Sequence, residues 1–146
     1  MDRADRNGGG HPVPGVARAS MEPDATAPDG SQIRLLTDAR MDAERASMCE
    51  VTLAAGQVSR PVWHRHVEET WYVLAGRGRV WGCPPDTGPE DLAPVDVSAG
   101  DALVIPPRWR FQFSSSPGDN LRFLCFTSPP WPGEDEAQPA EVGGLG

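Results

Sequence analysis

From Gln32 onward the chain is a series of short apolar segments separated by turn residues, at 33–36, 47–53, 61–66, 70–74, 79–83, 95–97, 102–105, 109–113 and 121–128. Segments of three to eight residues at this spacing read as strands, and helical periodicity extends no further than 38–46. The punctuation agrees: Gly56, Gly76-Arg77-Gly78, Pro84-Pro85-Asp86, Gly100-Asp101 and Pro117-Gly118-Asp119 are turn sequences. The pattern predicts an all-β fold, an antiparallel sandwich or barrel. Residues 1–30 and 131–146 are polar and rich in Gly and Pro, so they are expected to be a disordered N-terminal arm and a flexible C-terminal tail around a barrel at 31–130.

Within that barrel the chemistry concentrates in RPVWHRHVEETWYVLAGRG, residues 60–78. Alternation along a strand puts Val62, His64 and His66 on one face and Trp63 and Arg65 on the other. Glu68 and Glu69 follow at an acidic corner, then an aromatic and β-branched strand in which Glu69, Trp71 and Val73 share a face and Tyr72 looks outward. Two imidazoles and a carboxylate suffice in principle for a divalent first-row metal, with His64, His66 and Glu69 as its ligands. Without a metal, His64 and Glu69 form a candidate catalytic acid–base pair.

Composition narrows the possibilities. The chain has 146 residues and a net charge of −8, which fits one acidic domain and argues against a nucleic-acid surface. All basic residues are arginine, so mechanisms that need a lysine amine on this chain are excluded. Cys49, Cys83 and Cys125 form no CxxC pair and read as reduced thiols. No stretch approaches a membrane span and no secretory h-region is visible, so a cytoplasmic protein without membrane partners is expected.

Two motifs make the chain resemble a cupin, the small double-stranded β-helix. The family's first motif, G-x5-H-x-H-x3,4-E-x6-G, can be laid on Gly56 through Gly76, and its second, G-x5-P-x-G-x2-H-x3-N, on Gly100 through Ser115. Keeping Gly56 and Glu69 puts the histidine positions on Val62 and His64; taking His64 and His66 as the pair breaks the spacing on both sides. In the second motif Arg108 stands for the glycine, Phe111 for the third histidine and Ser115 for the asparagine.

The resemblance implies a divalent-metal cofactor (Fe, Mn, Ni or Zn) at His64, His66 and Glu69 and a homodimer. It also implies a small-molecule ligand, apolar or aromatic, lined by Val62, Trp71, Val73, Phe111 and Phe113, with Arg108 near the mouth for a carboxylate. The expected function is a metal-dependent oxygenase, isomerase or lyase. The alternatives are a non-catalytic binding cupin and a metal-free isomerase or cyclase using His64 and Glu69.

Overall fold

The computed structural model describes residues 14–146. The first thirteen positions of the expected arm, His11 among them, lie outside the described residues.

Eleven strands follow one another along the described chain: β1 Ala25–Thr26, β2 Gln32–Thr37, β3 Ser47–Leu53, β4 Val62–His64, β5 Glu68–Ala75, β6 Arg77–Cys83, β7 Val95–Ser98, β8 Ala102–Ile105, β9 Arg110–Ser115, β10 Leu121–Ser128 and β11 Ala137–Pro139. They pair antiparallel in two sheets, ordered β1-β2-β3-β10-β5-β8 and β11-β4-β9-β6-β7. This is the expected double-stranded β-helix. The stretch 38–46, where helical period was strongest, makes only a 3-10 turn at Ala39–Met41, capped by the Asp38 side chain on the Arg40 N–H. No helix is long and apolar enough among the described residues to cross a membrane.

Alternation packs the two inner faces. Along β5 the pattern places Glu69, Trp71 and Val73 inside and leaves Tyr72 out at 45% exposure. Trp71 stacks on Phe123 with ring centroids 4.0 Å apart, and Phe113 meets both edge-on at 5.1 and 5.4 Å. Such pairs contribute about 0.5–1.5 kcal/mol each beyond their burial. Trp71, Val73 and Phe113, expected as ligand lining, are packed into the core at about 1% exposure each.

Gly76 closes the β5–β6 turn at φ 87°, and a Cβ there would lie 2.2 Å from the Asn120 carbonyl oxygen, so only glycine fits. Position 108 needs the same left-handed backbone: Arg108 has φ 70° where the motif expects glycine. Its N–H donates to the His64 carbonyl at 2.8 Å and ends β4 at that residue.

Both expected ends carry structure. Ala25 and Thr26 of the arm pair with β2, and the supposed tail returns to the barrel as β11, whose Ala137, Gln138 and Pro139 lie opposite His64, Trp63 and Val62. The sequence texture at 131–146 suggested a tail because a three-residue strand has too few positions to show alternation.

Candidate functional site

Strand β4 is three residues long, pinned between β9 on one side and β11 on the other. It presents Val62 and His64 inward, 3% and 6% exposed. From the other sheet β5 presents Glu69, at 7%. His64 Nδ1 lies 3.4 Å from Glu69 Oε2 and has no well-formed hydrogen bond, while Glu69 Oε1 accepts from the Trp71 indole N–H at 2.8 Å. The His64 ring sits edge-on between Phe111, centroid 5.2 Å away, and Trp131, at 5.0 Å. Cys125 belongs to the same wall, since it lies opposite both Trp71 and Cys49 in the ladder and its thiol hydrogen-bonds to Glu69.

Burial shapes the protonation of this pair. It holds the His64 imidazole down at about 4, only partly offset by the distant Glu136 carboxylate. It pushes the Glu69 carboxyl up to about 7, against the lowering effect of the Trp71 and Cys125 hydrogen bonds. At rest the two groups are therefore not an ion pair. Near neutrality the cluster holds a neutral imidazole beside a carboxyl that takes up and releases its proton readily. The Cys125 thiol stays protonated, its pKa raised by the Cys49 thiol, by burial and by Glu69.

His66 is not part of the cluster. Strand geometry stops at His64, and the chain bends through Arg65 and His66 to meet Glu136. That carboxylate accepts from the His66 N–H at 2.5 Å, the Val67 N–H at 2.8 Å and the His66 ring Nδ1 at 2.9 Å. The His66 side chain is consequently 67% exposed. Burial raises the Glu136 carboxyl, but these donors outweigh it and hold it below the usual carboxylate range.

The register left open by the motif is thereby decided by geometry. Val62 and His64 occupy the two histidine positions, and Glu69 the carboxylate position. Val62 lies directly opposite Phe111 in the β4–β9 ladder, so two of the four motif positions are filled by an apolar pair that faces itself. Among the described residues no group of three His, Cys, Asp or Glu side chains converges as a metal site would require. The donor set does not fit a metal held in the family's manner.

Of the remaining expected lining residues, Val62 and Phe111 pack at the inner end of the cluster, and Arg108 is exposed beside it. Two contributors escaped the sequence reading. Trp131 sits in the proline-flanked run SPPWP, and Glu136 in the acidic run GEDEAQ, where nothing local marks a buried carboxylate.

The family profile described as "Cupin domain" matches residues 49–127. An uncharacterised protein of Methanocaldococcus jannaschii is 30% identical over 110 residues, which cover 73% of this chain and 80% of the relative. Among solved structures, the polyketide cyclase RemF from Streptomyces resistomycificus superposes with a TM-score of 0.63 at 25% identity, covering 87% of this chain and 82% of that one. A Bacillus subtilis oxalate decarboxylase with Mn(II) centres gives 0.64 at 18% identity, matching 77% of this chain but only 29% of its own, a likeness of fold alone.

Proposed function

Because the chain belongs to the cupin family, we propose that it acts on a small aromatic ketone by acid–base catalysis at His64 and Glu69, as an isomerase or cyclase, without a resident metal. The observation that carries this reading is the contact of a buried imidazole and a buried carboxyl, 3.4 Å apart, in a barrel whose other two motif positions are the apolar Val62 and Phe111. The metal-dependent reading asks for donors that this cluster does not supply. The 25% identity to a polyketide cyclase supports a substrate with enolisable positions beside an aromatic ring.

The step that such a pair performs is enolisation. The α-carbon proton of the ketone passes to the neutral imidazole, and the C–H electron pair becomes the new C=C bond. The carbonyl oxygen takes the Glu69 proton, leaving an enol, an imidazolium and a carboxylate. Burial favours the return of both groups to their neutral forms, which drives collapse to the rearranged or cyclised ketone. The walls at Phe111 and Trp131 suit a flat ligand, and the exposed Arg108 guanidinium at the rim suits a phenolate or carboxylate on it.

The test is α-proton exchange of 1-tetralone in deuterated buffer, followed by mass spectrometry, with chelator-treated protein. Exchange above the buffer rate is expected, reduced at least about 100-fold in His64→Phe and in Glu69→Gln, in line with the usual contribution of one acid or base. Saturable binding of 1-tetralone with exchange at the buffer rate would instead favour a non-catalytic binding cupin. Exchange that appears only after adding Fe, Mn, Ni or Zn would refute the metal-free assignment.

A further inference from the structure

Trp131 closes the candidate site from outside the matched family region, and its placement is not accidental to the fold. After β10 the chain turns across the barrel end. The Trp131 N–H donates to Ser47 Oγ at 3.0 Å, and Ser47 in turn hydrogen-bonds Thr127, its partner across the β3–β10 ladder. The indole then lies edge-on against His64 with its outer side 40% exposed. Five residues on, the Glu136 side chain, 1% exposed, is fixed by three donors from His66 and Val67. Arg65 N–H donates to the Glu136 carbonyl at 3.1 Å, and β11 continues the attachment along β4.

Between these two anchors the segment from Pro132 to Asp135 is exposed or half-buried, with Gly133 at φ 135° and one internal turn bond, Glu136 N–H to Gly133 carbonyl at 3.2 Å. Little holds the middle, and at the far end the buried Glu136 carboxylate is the one side-chain anchor, beside the Arg65 backbone bond and the start of β11. A ligand large enough to reach both His64 and Glu69 cannot do so past the indole, since the two side chains are only 7% and 10% exposed.

We infer that Trp131 is a ligand-site residue carried on a liftable strap, residues 131–136, which Glu136 latches to the β4–β5 corner. A flat aromatic ligand enters when the strap lifts and then packs against the returned indole. This deepens the reading of His64 and Glu69 as the site and rests on it for the ligand's identity, but strap opening itself is measurable without turnover.

Diethyl pyrocarbonate at limiting concentration, with peptide mass spectrometry, reads how often His64 becomes accessible. Glu136→Gln keeps the size of the side chain but turns one acceptor into a donor facing donors, so it should unlatch the strap. We expect carbethoxylation of His64 to rise at least about tenfold in Glu136→Gln and in Trp131→Ala, on the reasoning that each removes one closure. Trp131→Phe should stay near the wild-type rate, and so should Glu134→Gln, an exposed neighbour. The Kd for 1-tetralone should weaken in Trp131→Ala and be largely restored in Trp131→Phe.

An unchanged rate in folded Glu136→Gln overturns the latch, and an unchanged rate in Trp131→Ala overturns the lid. Should Glu136→Gln fail to fold by circular dichroism, Trp131→Ala decides alone. If His64 opens as expected while no exchange of 1-tetralone occurs, the strap stands and the proposed reaction falls.

Discussion

At the scale of single residues, Val62 and Phe111 explain most about this barrel. They face each other across the β4–β9 ladder at positions where the family's motifs carry histidines. Restoring both, as Val62→His with Phe111→His, should create a four-donor set with His64 and Glu69. Calorimetric titration with Ni(II) or Zn(II) should then show one site at least about 100-fold tighter than wild type, the scale on which ligand changes act. Tight stoichiometric binding by wild type would contradict the argument. Arg108 offers a second test. A non-glycine residue at φ 70° carries backbone strain of about 1 kcal/mol, so Arg108→Gly should gain about that much in urea denaturation, provided its looser unfolded chain does not cancel it. It should also lose affinity for anionic ligands, while a loss of stability would mean that the guanidinium is holding the β4 corner.

At the scale of elements, the strands were legible and their company was not. The spans 47–53, 102–105 and 121–128 match β3, β8 and β10, because alternation and flanking turns are local properties of the chain. The segment 61–66 shows where local reading stops: it breaks after His64 because the Arg108 N–H caps its carbonyl and the Glu136 carboxylate captures the amides of His66 and Val67. Neither partner is near in sequence, so the inward direction expected for His66 had no way to reveal itself as wrong. That Glu69 and His64 both face inward, by contrast, followed from alternation along β4 and β5 and was readable. The strap before β11 carries its own prediction. Glu136→Ala leaves the His66 and Val67 N–H groups without their acceptor and should cost about 1–3 kcal/mol in chemical denaturation, with faster amide exchange at 65–67. Unchanged exchange there would mean that the corner is held by the rest of the barrel.

At the scale of the whole molecule, the buried pair makes opposite demands on stability as pH changes. Glu69 has a folded pKa raised from 4.5 to about 7, so the folded state binds the extra proton and stability falls as pH rises through that window. His64 is lowered from 6.5 to about 4, so the unfolded state binds the extra proton and stability rises with pH through that window. Where the windows overlap the two slopes largely cancel. Glu69→Gln should remove the falling limb, leaving stability that climbs with pH below about 6.5, so that between pH 4 and pH 7 it gains up to ~3 kcal/mol on wild type. His64→Phe should do the reverse and lose stability steadily up to about pH 7. Thermal melts of the three proteins across this range would check both signs, and parallel curves would mean that neither group is perturbed as described.

The central claim is that His64 and Glu69 form a buried acid–base pair and not half of a metal site. Its most direct measurement is a carbon- and nitrogen-detected NMR titration of the Glu69 carboxyl and the His64 ring in chelator-treated protein, repeated with one equivalent of Zn(II). The account predicts midpoints near 7 for Glu69 and near 4 for His64, both unmoved by the metal. Ordinary midpoints for the two groups, or a shift of both on adding zinc, would contradict it.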